Sequence, residues 1–277
     1  HVKVEVIKPL LKELARAGAL KSAKEFFRSP RYKLDLNAVK DMLGESDKEE
    51  TVYTQEYREA LEDEIKKYKN FIITTAVMGK EANKPFLESI KNYAKRNNAL
   101  VLVLPCEDVA SRGKKAVSIE LSDSLKDFKV VFKDTYLNEN LCLCAIKMSA
   151  KQINPLSGLD RLATTRNASI IVASPKVFLK YIPNMHYDIP AAMMTTGAVT
   201  VNNYDNDRYM SRRTSTLAEN DHTYGAVVVE VQDNRIFHFR HIQATEKGSF
   251  VDLGIEYLPD GEVRKMEGTV LVMGDSH

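Results

Sequence analysis

The chain has 277 residues, 44% hydrophobic and 28% charged, with a formal net charge of +2. That length suits two domains or three small ones, and the composition is that of a soluble globular protein. It excludes a low-complexity chain. No apolar run approaches membrane-spanning length and no signal peptide is visible, so no membrane span is expected and the cytoplasm is the expected compartment.

The near-neutral total conceals an asymmetry. Residues 1–40 carry ten Lys/Arg against four Asp/Glu, and residues 41–65 carry two against ten. A basic block followed by an acidic one fits either a binding surface beside a partner surface or two solvated faces that offset one another.

Residues 8–43 read as three short helices. Leu10, Leu11 and Leu14 give the first an apolar stripe that stops at Gly18. Ala23, Phe26 and Phe27 face inward in the second, and Leu36, Val39, Met42 and Leu43 mark the third. Three short helices with tight turns and positive charge fit a helix-turn-helix-like module, or any small helical bundle. Residues 44–54 read as an acidic linker. A helix follows, with Tyr53, Tyr57, Leu61 and Ile65 on one face. Residues 1–69 are thus expected to form a helical module and linker helix.

From Asn70 the pattern changes to buried strands. Residues 71–77 and 99–104 are apolar runs. Between them Asn83 caps a helix with Pro85 near its start and Phe86, Leu87, Ile90 and Tyr93 inward. This is a β-α-β unit with a parallel pair, the core of an expected Rossmann-like α/β domain over 70–200. Its first loop contains Gly79-Lys80, but the glycine and Ser/Thr positions of a phosphate loop are not met.

Further strands are expected over 141–148, 169–173 and 177–182, with a short helix entered through residues 155–162. Cys142 and Cys144 alternate with leucines, so both thiols face one side of their strand. With Cys106 they make an odd, unpatterned set. Too few ligands lie at suitable spacing for zinc, and buried free thiols in a reducing compartment are the better reading. A strand over 191–200 is interrupted at Thr195-Thr196-Gly197. This segment and the turn carrying Asn154, Ser157 and Gly158 suit close approach of a substrate, and equally suit tight packing.

Residues 202–220 form a polar loop in which Arg208, Arg212 and Arg213 are candidate phosphate or DNA contacts, or parts of a surface excursion. His222 follows at a strand entry and is a candidate catalytic imidazole. Residues 201–268 then read as a hairpin region, with a two-residue turn at Asp233-Asn234 and a second turn at Pro259-Asp260-Gly261. His238 and His241, three apart on a strand, fall on opposite faces and cannot chelate together.

The last segment, 269–277, is an apolar strand broken at Gly274. It delivers Asp275 and His277 together, a carboxylate and an imidazole able to share one divalent metal. The plain alternative is a polar tail.

The order Asn154-Pro-Leu-Ser-Gly158, Thr195-Thr-Gly-Ala198, Asn203-Tyr204, residues 222–230 and Gly274-Asp-Ser-His277 resembles a family of phage calcineurin-like metallophosphoesterases. That family includes the pre-early nuclease of T-five-like phages, linked to DNA transfer and host DNA degradation. The resemblance covers roughly residues 70–277. It implies a helical module and a Rossmann-like part preceding a metallophosphoesterase domain whose first strand is 269–277. It implies DNA phosphodiester hydrolysis at two divalent metal ions, Mn²⁺ first and Mg²⁺ second, with Asp275 and His277 on the first metal. DNA is the implied partner, and a homo-oligomer the implied assembly. The family's later metal-binding segments have no match here, so the sequence is expected to be the front of a longer phage DNase. A non-enzymatic DNA-binding or scaffold subunit is the second expectation.

Overall fold

The computed structural model of the chain describes residues 47–108, 121–183, 190–204 and 212–267, with side chains from residue 56 in its first helix and from 214 in its last. The three short helices read over 8–43, Arg208 and the terminal strand with Asp275 and His277 lie outside the described residues. The chain divides into two compact units, His1–Ala60 and Leu61–His277.

Helix α1 runs Asp47–Ile65, so the stretch read as a linker is helical from Asp47. Its physical reason lies in the residue types. Glu, Gln, Leu, Ala and Arg, all good helix formers, fill much of it. Leu61 and Ile65, one turn apart, are buried in the second unit.

The expected β-α-β unit is present. Strands β1, Asn70–Val77, and β2, Ala99–Cys106, pair in parallel, in register from Asn70 with Ala99 to Val77 with Cys106. Both strands are buried along nearly their whole length, which is why they read as continuous apolar runs rather than alternating ones. Helix α2, Lys84–Arg96, starts where the Asn83 side chain accepts the Phe86 N–H at 3.1 Å. It buries Phe86, Leu87, Ile90 and Tyr93.

Eleven further strands, two helices and one short 3₁₀ turn, Asp123–Leu125, complete the described second unit. Strand β3, Lys129–Val130, adds to β2 in parallel. Strands β4, Thr135–Asn138, β5, Leu141–Cys144, β6, Ser169–Val172, β7, Leu179–Ile182, and β8, Ala191–Thr195, make a second sheet in the order β4-β5-β6-β8-β7. Its three central strands are parallel and its two edges antiparallel. Helix α3, Asp160–Arg166, links β5 to β6.

After α4, Arg212–Asn220, strands β9, Gly225–Val231, and β10, Phe237–Gln243, return to the first sheet, giving the order β10-β9-β1-β2-β3. Strand β9 pairs antiparallel with β1. The segment read as a hairpin region thus supplies two strands of the sheet that β1 and β2 begin. The architecture is α/β, with two mixed sheets and few helices.

Three local readings are corrected. Residues 202–220 are not one loop, because α4 occupies 212–220. Strand β7 is exposed rather than buried, because it is a sheet edge. The turn at Asp233 is longer than two residues: the Asp233 carboxylate accepts the N–H groups of Arg235 and Ile236 at 2.8 and 2.7 Å, curling the chain into a local loop.

The last small sheet, β11, Phe250–Asp252, β12, Ile255–Tyr257, and β13, Val263–Lys265, packs on α2. Leu253 and Gly254, at φ 49° and 78°, turn β11 into β12 as the left-handed hairpin turn requires. Phe250 meets Phe86 edge-on at 6.1 Å between ring centres, and Tyr257 meets Tyr93 at 4.7 Å. Among the described residues no helix is long and apolar enough to cross a membrane.

Candidate functional site

The carboxyl ends of parallel strands are where open α/β sheets hold ligands. Here those ends carry hydroxyls and amines. Thr75, the sixth residue of β1, is fully buried, and its hydroxyl sits at the centre of a short polar chain. The Ser174 N–H donates to Thr75 Oγ1 at 3.0 Å, and Thr75 and Thr196 share a hydrogen bond of 2.6 Å. Thr196 in turn donates to the Gly197 carbonyl at 2.7 Å, which leaves Thr75 as the donor between the two hydroxyls. The chain joins the end of β1 to the segments that follow β6 and β8.

Thr195, Thr196 and Gly197 are therefore placed at this edge, as singled out, but they are buried. What approaches closely is the protein's own backbone. A side-chain carbon on Gly197, which has φ +76°, would lie 3.0 Å from both Gly225 Cα and the Thr223 carbonyl. The Thr195 hydroxyl is used internally too, donating to the Lys176 carbonyl at 2.6 Å.

Three lysines gather at the same strand ends. Lys80 lies in the β1–α2 loop, and Asp108 follows β2 by two residues. Lys151 follows a bridge between Glu107 and Ser149. The Asp108 carboxylate takes Lys80 Nζ at 3.0 Å on one oxygen and Lys151 Nζ at 2.9 Å on the other. All three side chains are 6% exposed or less. Two buried amines on one carboxylate form an electropositive corner, tolerable only because the partners are in direct contact. Lys176 is also buried, and its amine donates 2.8 Å to the Asp221 carboxylate, which opens to solvent.

His222 stands beside this corner, one residue past Asp221. Its Nδ1 is 2.6 Å from the Tyr204 hydroxyl, and Tyr224 packs edge-on against the ring at 5.1 Å. Burial lowers the His222 pKa to about 4, opposed by the Thr200 backbone. Burial also pushes the Tyr204 phenol up, so the phenol keeps its proton and donates it to Nδ1. The imidazole then carries its proton on Nε2, which is buried and turned towards the Thr200 backbone. In this state His222 orients a hydrogen bond and is a poor proton acceptor at neutral pH.

The remaining candidates are elsewhere. Asn154, Ser157 and Gly158 form an exposed turn in which the Asn154 side chain accepts the Leu156 N–H at 3.2 Å. Arg212 and Arg213 occupy the first turn of α4. His238 and His241 diverge as expected, His238 towards Gln232 and His241 to the Thr195 carbonyl at 2.7 Å. Sequence reasoning missed Asp108 and Lys151. The available signal for Asp108 was its place just past a fully buried strand. Lys151 had none, because its pairing with the β2 end is tertiary.

A different cluster lies on the second sheet. The Cys142 and Cys144 thiols and the Asp134 carboxylate bring their ligand atoms within 4.8 Å of one another. It is the only group of three such donors found among the described residues. Both thiols are buried and free, as is Cys106.

No protein-family profile matches the chain. Over 205 residues it is 28% identical to Protein A1 of Escherichia phage T5, an overlap that takes in 72% of this chain and 36% of that protein. The chain thus spans about a third of the length of this relative. The solved structure of Vps29 from Chaetomium thermophilum overlaps 72% of this chain and 97% of its own, at 8% identity and a TM-score of 0.34. That likeness is too slight to carry a fold or an activity.

Proposed function

We propose that the chain is the front portion of a phage phosphoesterase, a Mn²⁺-dependent DNase acting on DNA phosphodiesters in the host cytoplasm. The carrying observation is the 28% identity to the phage T5 protein over 205 residues. The order of motifs ending in Gly274-Asp-Ser-His277 agrees with it. Asp275 and His277 are the proposed first pair of a two-metal site, and DNA is the proposed partner of a homo-oligomeric assembly.

The proposed pair lies outside the described residues, and the described residues hold no second group of that chemistry. Mn²⁺ and Mg²⁺ take carboxylate, carbonyl and imidazole ligands, whereas the one three-donor group here has two thiols. The carboxylate at the strand ends, Asp108, is held by two ammonium groups instead. The proposed role of the described part is therefore positional. The Arg208, Arg212 and Arg213 segment is the proposed source of positive charge for a phosphate backbone, whereas the lysine corner is buried and spent on Asp108. The imidazole of His222 holds Tyr204 in place rather than moving a proton.

A second reading, a DNA-binding or scaffold module without chemistry of its own, is supported by the neutral His222 and by the Asp108 carboxylate held between two lysines. One experiment separates the two. The full-length protein is incubated with duplex DNA and Mn²⁺, beside Asp275→Asn. Metal-dependent cleavage lost in the variant supports the first reading. Cleavage that survives Asp275→Asn overturns the metal assignment. DNA binding without cleavage leaves the second.

A further inference from the structure

Cys142 and Cys144 are two residues apart on β5, a central strand, so strand geometry places both thiols on one face. Asp134 comes from just before the neighbouring edge strand β4. Its Oδ1 accepts the Ala145 N–H at 3.0 Å, and its Oδ2 accepts Arg166 Nε at 2.7 Å and a second Arg166 N–H. The carboxylate is thereby fixed in orientation beside the thiols, and Arg166, at the end of α3, closes the cluster.

From this geometry we infer that Asp134, Cys142 and Cys144 form a binding site for one thiophilic cation, with Zn²⁺ the leading occupant and Cd²⁺ its spectroscopic stand-in. Three observations carry this. A tetrahedral cation about 2.3 Å from each sulfur needs its ligand atoms about 3.5–4 Å apart, and three ligand atoms already gathered within 4.8 Å reach that by small side-chain rotations. The donor set, two sulfurs and one oxygen, is one that soft or borderline cations select over Mn²⁺ and Mg²⁺. The charges also close. Two thiolates and a carboxylate are balanced by a divalent cation together with the Arg166 guanidinium, so the filled site is formally neutral inside the fold.

Binding releases the two thiol protons to solvent and forms two metal–sulfur bonds and one metal–oxygen bond, with no change of oxidation state. Arg166 on Oδ2 and the Ala145 N–H on Oδ1 fix the ligand carboxylate, as outer partners of metal-bound carboxylates do. Access is from the Asp134 side. That side chain is 34% exposed, while both thiols are fully buried. The site is separate from the proposed Asp275 and His277 pair and differs from it in metal class, so either can fail alone.

The test titrates the reduced full chain with Cd²⁺ and reads the ultraviolet thiolate-to-cadmium charge-transfer band. One equivalent is expected to saturate it. Cys142→Ser and Cys144→Ser should each remove most of the band. Asp134→Asn should weaken binding about ten- to a hundredfold. Cys106→Ser, whose thiol donates to the Met148 carbonyl instead, should leave the band intact. Zinc-edge X-ray absorption on the wild-type chain needs no variant. Two sulfur neighbours at about 2.3 Å are expected. Only oxygen and nitrogen neighbours, or a charge-transfer band that survives loss of both cysteines, would overturn the site.

Discussion

A neutral imidazole packed against two phenols makes the folded protein sensitive to acid. The His222 pKa is lowered to about 4, while an unperturbed histidine titrates near 6.5. Between those values the unfolded chain binds a proton that the folded chain excludes. Stability is therefore full above pH 6.5 and declines as the pH drops towards 4. The expected loss from this group is about 2 kcal/mol by pH 5. His241 is shifted the same way by burial, and adds to the decline. The urea midpoint of the wild type should fall between pH 7 and pH 5, and His222→Asn should flatten part of that fall. An equally steep fall in the variant would mean that His222 is not held neutral. Glycine acts at this scale through space rather than charge. A side-chain carbon at Gly248, φ +85°, would sit 2.5 Å from the Phe86 nitrogen and the Pro85 carbonyl carbon. Gly248→Ala is expected to destabilise by about 2–4 kcal/mol, measured by thermal or urea unfolding, since both the backbone angle and the space forbid it.

Elements hold together here through a few cross-links that no local pattern announces. The small β11–β13 sheet is fastened to α2 by Asp252. Its carboxylate takes Arg240 Nε at 2.5 Å and the Tyr93 hydroxyl at 2.7 Å, with Glu230 on the far side of Arg240 at 2.8 Å. Asp252 is 5% exposed at its side chain, so Asp252→Asn should cost about 3 kcal/mol by leaving the guanidinium partly buried with a weaker partner. Amide hydrogen exchange should then speed up in β11–β13 more than in β1 and β2. Equal protection of both regions in the variant would deny Asp252 this role. The contrast with the β-α-β unit explains what the sequence could and could not reveal. Asn83, Pro85 and the apolar runs of β1 and β2 act locally, and each is legible as written. The exposed edge strand β7 is apolar in sequence, with Leu179 46% and Tyr181 55% exposed, so composition alone misplaces it in the core. The helix α4 was hidden by polar residues read as loop. The Leu253-Gly254 turn was hidden because leucine rarely adopts a positive φ.

At the scale of the molecule, the candidate site was half legible for a related reason. The sequence singled out Thr195, Thr196, Gly197 and His222, and these do gather at one edge. The partners that define their environment come from far along the chain, where no spacing rule reaches. Thr75 and Thr196 are 121 residues apart, and Ser174 is 99 from Thr75. The resulting chain of hydrogen bonds ties β1 of the first sheet to the connections after β6 and β8 of the second. Within a dry interior such bonds polarise one another, so the link should behave as a unit. Thr75→Val keeps the shape of the side chain but strands the Ser174 N–H and removes the donor to Thr196. Thr196→Val strands the Thr75 hydroxyl instead. Each is expected to cost about 1–3 kcal/mol, because each orphans a buried polar group. The double variant should cost less than the sum by about 1 kcal/mol or more, since removing both hydroxyls leaves no orphan between them. Urea unfolding of the four proteins measures this directly. Strict additivity would mean that the two hydroxyls do not communicate. It would also mean that this link adds nothing to the other joins between the sheets, such as the Glu107–Ser149 bridge, the Lys151–Asp108 ion pair and His241 on the Thr195 carbonyl.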